Sequence, residues 1–349
     1  MARNVFCKAI GMFIITVLAL ACSSTAFAKT IQLRYATENS TAAWFHPNYY
    51  LQWAEKVEKV TDGRVKIKIY PAGSLGSIPG FYDMVQNGIA DIAFGVQNVN
   101  SGQFPLTEIA NLPFLPYPSG EVASEILWKL YEKFPAIQDE YKGVKLLQLG
   151  MTEQYEILTV KKPIARLADL KGIKLRVAGA VAADATSLMG ATPVSVRMGE
   201  LYVAMEKRII DGVAVPGEPV LGQIPTEKVT DVLQGNFWTA SFWVAINERK
   251  WQRISPEDQQ AIWQSCGSLE GSKMIGHAFD QARVAADKVL HEQKGVTISQ
   301  LSPEESKELL AMGHDIHEKY LSDLERKGLP AREVYAALLQ LIDEYKTKQ

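Results

Sequence analysis

The run from Asp169 to Gly212 constrains the fold more than any other stretch, because strand-like and helix-like segments alternate within it as they do in a βαβ unit. Lys174 to Val177 has the length and β-forming character of a short strand, and Gly172 and Gly179 supply turns on either side. From Val181 the pattern turns helical, with Val181, Ala185 and Leu188 on one face, until Gly190 offers a left-handed stop. The strand therefore ends at a strand-to-helix junction, where open α/β sheets bind ligands. It delivers Arg176 to that junction. A guanidinium presents a planar fork of donors that matches a carboxylate bidentately, which an ammonium does not. Arginines beside strands more often stay solvated or pair with a neighbouring acid, here Asp184 or Glu200. Only the surrounding pattern makes Arg176 the residue expected to hold an acidic ligand.

The same alternation runs through the rest of the chain. Ile31, Leu33 and Tyr35, then Val65, Ile67 and Ile69, alternate with polar residues as half-buried strands do, and Asp91 to Val96, Val144 to Leu149 and Tyr155 to Val160 read as further strands. Tyr50, Trp53, Val57 and Val60 share a helical face closed by Asp62-Gly63, and a helix is expected from Gly120 to about Phe134. Ser255-Pro256-Glu257-Asp258 is a helix start, and only isolated glycines interrupt the helical pattern from there to about Gln293. Ser302-Pro303-Glu304-Glu305 has the form of a capping box.

With 349 residues, 47% of them hydrophobic and 22% charged, the chain is long enough for two domains with substantial cores. A formal net charge of −2 and no basic run interleaved with aromatics argue against a nucleic-acid partner. Arg3 and Lys8, the apolar Ala9 to Ala21, and Ala26-Phe27-Ala28 read as a cleavable signal peptide over residues 1–28, which directs the mature chain to the periplasm. A second reading of this segment is lipidation at Cys22. Cys266 is then the one cysteine of the mature chain, so no intramolecular disulfide is expected. Neither a nucleophile elbow, a His-Glu-x-x-His, a Cys-x-x-Cys nor a phosphate-cradling loop is present, so no cofactor or metal is called for. His314 and His317 stand three apart on an expected helix, but Lys and Glu surround them, as on a solvated face.

Several motifs in register carry a resemblance. Gly63-Arg64-Val65-Lys66-Ile67-Lys68-Ile69-Tyr70-Pro71-Ala72-Gly73-Ser74-Leu75-Gly76, Asn87-Gly88-Ile89-Ala90-Asp91-Ile92-Ala93-Phe94, Leu112-Pro113-Phe114-Leu115, Asp169 to Val177, Gly199-Glu200-Leu201-Tyr202 and Arg208-Ile209-Ile210-Asp211-Gly212 occur in one order from about Ile31 onwards. In this the chain resembles the solute-binding proteins of tripartite ATP-independent periplasmic (TRAP) transporters. The resemblance implies an α/β, two-domain periplasmic-binding-protein fold with hinge crossings and a long C-terminal helix spanning both domains. We place residues 29–153 with 241–281 in domain I and 154–240 with 282–349 in domain II. It also implies a receptor rather than an enzyme, whose partners are a small carboxylate and the permease subunits of a TRAP transporter.

In that family the arginine matching Arg176 binds the ligand carboxylate, and the first loop, here with Trp44 and Phe45, helps form the cleft. The chain departs from the pattern at three places. Met198 stands where a phenylalanine is common, Val215 where an asparagine is common, and Tyr155 near where members binding oxygenated acids carry a second arginine. A site with fewer donors and more apolar surface, drawing on Trp44, Met198, Val215, Phe237 and Trp238, favours a monocarboxylate with an apolar or aromatic body over a four-carbon dicarboxylate. Glu218 is expected to balance charge or accept a ligand hydroxyl. Two readings stay open beside transport: a secreted enzyme acting on small acids, and a receptor that hands its ligand to a sensor.

Overall fold

The computed structural model describes residues 30–99 and 102–347, so the expected signal peptide and Cys22 lie outside the described residues. Two sheets organise the chain. In the first, of order β2-β1-β3-β10-β4, β1 (Ile31–Ala36) runs parallel to β2 (Val65–Tyr70) and β3 (Ile92–Val96). The late strand β10 (Ser241–Asn247) inserts antiparallel between β3 and β4 (Val144–Met151). The second sheet, of order β11-β9-β5-β8-β6-β7, holds β5 (Glu156–Thr159), β6 (Lys174–Arg176), β7 (Thr192–Val194), β8 (Gly212–Val215), β9 (Asp231–Gln234) and β11 (Thr297–Gln300). Here β6 is parallel to both β7 and β8, while β5 is antiparallel to β8 and β9. Strands β5 and β8 are buried at every position, the signature of a sheet covered on both faces.

The expected continuous helix from Pro256 to Gln293 is two helices, Pro256–Cys266 and Ser268–Glu292. The interruption has a tertiary cause. The Cys266 carbonyl accepts hydrogen bonds from Trp53 Nε1 at 2.8 Å and Gln148 Nε2 at 2.6 Å, and Ser268 takes a left-handed φ of 53°. The second helix has 25 residues, or about 37 Å at the usual rise. That length lets it lie against helix Gly120–Lys133 and β4 at one end and the short helix Gly217–Val220 at the other, so it backs both sheets.

The placement of residues 282–349 wholly in the second domain needs correction. Helix Pro303–Met312 packs on the second core through Leu309, but helices His314–Glu325 and Ala331–Lys346 return the chain to the first. Leu321, Leu324, Val334, Leu338 and Ile342 are buried with Phe104, Leu127 and Trp128 there. The apolar stripe of the last helix, spaced four residues apart, has no other face to cover it.

His317 also lies in this return. Its ring is buried, bonded to the Pro113 carbonyl and the Tyr335 hydroxyl, and burial lowers its pKa, so it is a structural histidine rather than part of a solvated face.

Helices Gly120–Lys133 and Ser268–Glu292 cross so closely that a Cβ on Gly276 would lie 2.2 Å from the Gly120 carbonyl oxygen. Gly276→Val is therefore expected to destabilise the protein by roughly 2 kcal/mol or more, measured as a shift of the urea midpoint at unchanged m.

Candidate functional site

The chain crosses from β4 to β5 and back from β9 to β10, and these two crossings lie side by side. Thr152 N donates to the Ala240 carbonyl at 2.9 Å, Ala240 N to Thr152 Oγ1 at 3.0 Å, and Tyr155 N to the Trp238 carbonyl at 2.9 Å. Arg283, from the long helix, is inserted against this waist. Its Nη1 is 2.5 Å from Glu156 Oε2 and 3.5 Å from Asp287 Oδ1, and its Nη2 is 3.4 Å from Glu153 Oε1. Glu153 Oε1 also accepts the Gly217 amide at 2.5 Å. Burial pushes the Glu153 carboxyl up to about 7 against the opposing pull of Arg283.

Between the sheets opens a cleft of about 490 Å³. One wall comes from the segment after β1, with Glu38, Asn39, Ser40 and Trp44, together with Ile78; the other comes from Met198, Glu218, Leu221 and Gln223. This wall after β1 leaves the carboxyl end of a parallel strand, where an open α/β sheet forms its crevice. No lysine or arginine is among the described residues that line it.

Arg176 ends β6, which pairs with β8 through Arg176 and Val213. It is half-buried, its Nε donates to the Val196 carbonyl at 3.0 Å, and among the described residues no carboxylate lies within salt-bridge distance. Burial lowers its pKa, with Tyr155 acting in the opposite sense. Arg176 does not itself wall the 490 Å³ cavity, but Met198, two residues beyond its partner Val196, does. Helix Ala180–Leu188 begins beside it, and a Cβ on Gly179 would come 3.8 Å from Asn98 Nδ2 in the first domain. The arginine thus sits where the domains face each other.

The expected site residues separate into groups. Trp44, Met198 and Glu218 come together in the cleft. Tyr155 adjoins Arg176 and has its ring 6.1 Å from that of Trp238. Phe45 is 2% exposed and its ring lies 4.4 Å from that of Phe279, among the Tyr49, Tyr50 and Phe94 rings. Val215, Phe237 and Trp238 are buried in the cores of the second domain. Sequence reasoning missed Glu38, Asn39, Ser40 and Gln223; the signal was the polar run directly after β1.

Glu218 is 8% exposed on helix Gly217–Val220, and its Oε2 accepts from Gln223 Nε2 at 3.3 Å. Burial pushes its carboxyl up to about 7. Tyr50 lies near enough for Glu218 to raise its phenol, and Glu38, itself raised by burial, lines the same cleft from the other domain. A cleft between two α/β domains, spanned by paired crossings and a common helix, defines a hinged receptor for a small solute.

The family comparison narrows this class. The chain belongs to the bacterial extracellular solute-binding proteins of family 7, whose pattern matches residues 36–323, and it is a TRAP-type solute-binding protein. It is similar to a TRAP solute-binding protein from Rhodoferax ferrireducens T118 in complex with copurified benzoate, at 25% identity and a TM-score of 0.82 over 91% of this chain and 99% of that one. A marine metagenome TRAP solute-binding protein specific for aromatic acid ligands, in complex with metahydroxyphenylacetate, is 28% identical with a TM-score of 0.82 over 90% and 99% of the two chains. The 2,3-diketo-L-gulonate-binding periplasmic protein YiaO of Escherichia coli is 23% identical over 96% of this chain and 97% of its own.

Because Glu218 binds its proton more tightly folded than unfolded, where it titrates near 4.5, its contribution to stability is complete below that value and is lost as pH rises through about 7. The stability of the wild type relative to Glu218→Gln is therefore expected to fall by about 1–3 kcal/mol between pH 5 and 8, measured by urea unfolding at each pH. The difference between the two proteins removes the parallel contribution of Glu153.

Proposed function

We propose that the cleft captures a monocarboxylic acid with an apolar or aromatic body, and that the closed receptor presents it to the membrane permease of a TRAP transporter. Arg176 is the anchor. One observation carries this reading: the arginine at the end of β6 has no acid partner among the described residues, while the cleft walls carry Glu38 on one side and Glu218 on the other and, among the described residues, no cation. A first carboxylate meets the guanidinium; a second, as in a four-carbon dicarboxylate, would be directed towards like charge. Trp44, Met198 and Leu221 supply the apolar surface between. The benzoate and metahydroxyphenylacetate of the two relatives are acids of this form.

Closure follows from the geometry of the waist. A ligand touching both walls favours the state in which they meet, and hydrogen-bonded crossings at residues 152–155 and 238–240 leave hinge rotation as the accessible motion. No reaction is needed for this role. Residues 1–28 act in this reading as the cleavable signal that exports the chain to the periplasm, with lipidation at Cys22 as the other reading.

Arg176→Ala is expected to weaken binding of the acid released by denaturing the purified protein, once identified by mass spectrometry, ten- to a hundredfold, about 1.5–3 kcal/mol. Isothermal titration checks this, and unchanged affinity would remove Arg176 from the site. Arg176→Lys retains charge but not the fork, and should recover only part of the loss.

A further inference from the structure

We propose that Glu218, with Gln223 beside it and Glu38 and Asn39 on the opposite wall, forms a second polar subsite for a hydroxyl or amino group on the ligand, on the side away from its carboxylate. This rests on the cleft being the ligand site, and it specifies the ligand further: an acid bearing a hydrogen-bond donor, not a plain hydrocarbon acid.

The carboxyl of Glu218 is 8% exposed and walls the cavity, yet among the described residues its one hydrogen bond is a long one from Gln223, at 3.3 Å. A buried carboxyl with spare acceptor capacity costs stability unless something supplies a donor. Nothing in the cavity wall does so as a cation: the lining residues from both domains are acidic, amide, hydroxyl or apolar. On the first-domain wall Asn39 Oδ1 accepts from the Tyr50 hydroxyl at 3.1 Å and, as an amide oxygen, has a second lone pair, and the Glu38 carboxyl lines the same wall. A donor on the ligand therefore finds acceptors on either side as the walls meet.

The fold sets this subsite at a fixed offset from Arg176. β6 and β8 are neighbours, with Arg176 opposite Val213. Val215 ends β8 two residues later, roughly 7 Å further along the strand, and the chain then turns into the helix carrying Glu218. That helix is held firmly. The Gly217 amide is bonded to Glu153 at 2.5 Å, and a Cβ on Gly217 would come within 2.6 Å of the Arg283 Cα. One domain thus presents a cation at the end of β6 and, on the helix that follows the adjacent β8, a buried acceptor, so the two ends of the ligand are read by a rigid pair. A site built to bond a substrate hydroxyl rejects the analogue lacking it, because the buried group is left unpaired.

The test is isothermal titration of benzoate, 3-hydroxybenzoate, 4-hydroxybenzoate, 3-aminobenzoate and isophthalate against the mature wild type, Glu218→Leu, Glu218→Gln and Arg176→Ala. The expected result is that at least one hydroxy- or aminobenzoate binds the wild type tenfold or more tightly than benzoate, and that isophthalate binds worse than benzoate. Comparing the hydroxy and amino compounds identifies which donor the subsite takes. Glu218→Leu should reduce that preference to near unity. Glu218→Gln keeps an acceptor oxygen, so it should retain the hydroxyl preference; it serves if the leucine variant does not fold, and a preference that then no longer varies between pH 5 and 8 supports the subsite. A wild type indifferent to the donor, a preference untouched by Glu218→Leu, or a pH dependence of the preference untouched by Glu218→Gln overturns the subsite and leaves the carboxylate reading standing. If Arg176→Ala binds every acid as the wild type does, the anchor falls instead. Failure of the wild type to bind any of these acids overturns both.

Discussion

The arrangement depends on one buried guanidinium. Arg283, 13% exposed at its side chain, stands between Glu153 and Glu156 at the point where the chain leaves the first sheet for the second. Buried charges are tolerated only when paired, and removing one partner of such a pair typically costs about 3–5 kcal/mol because the other is stranded. The long helix that carries Arg283 backs both domains, so this ion cluster ties the helix, the waist and the second domain together in one place. Glu153 extends the connection to the cleft by accepting the amide of Gly217, the residue before Glu218. The position of a cleft wall is thereby fixed by the same acid that pairs with Arg283 at the hinge.

The cleft divides its polarity unevenly, and that asymmetry gives it chemical direction. Positive charge is concentrated at the end of β6, in a half-buried arginine with one backbone partner. Acids and amides lie on both cleft walls, Glu38 and Asn39 on one and Glu218 and Gln223 on the other. In the proposed reading an anionic solute entering such a field is oriented before it makes contact, its carboxylate drawn to the arginine and turned away from the acidic walls. The apolar residues between add area without direction.

What was legible in the sequence is what depends on neighbours in the chain. Ser302 and Glu305 form the capping box that their spacing announced, Ser255 caps its helix through Asp258 N at 3.1 Å, and Gly190 adopts the left-handed φ of 78° that ends its helix. What was not legible depends on distant partners. The break after Cys266 is made by Trp53 and Gln148, 213 and 118 residues away. The short strands β7, β9 and β11 exist through pairing with β6, β5 and β9 respectively, not through any pattern of their own. The aromatics taken as one group fall on different surfaces for the same reason: Trp44 walls the cleft while Phe45, its neighbour, is closed over by Phe279. Composition is identical for a ring facing a core and one facing a cavity.

The insertion of β10 between β3 and β4 has a consequence for how the molecule is made. The first sheet lacks its central antiparallel strand until residues 241–247 exist, and its core lacks a covering helix until residues 331–346 exist. The whole second sheet except β11 is encoded before either of them. A chain emerging amino end first therefore completes its leading domain last, and the contacts that close it span most of the sequence. Such long loop closures slow folding. A chain that stays open until its carboxyl end has appeared is one that can be threaded through a narrow pore before it acquires a shape.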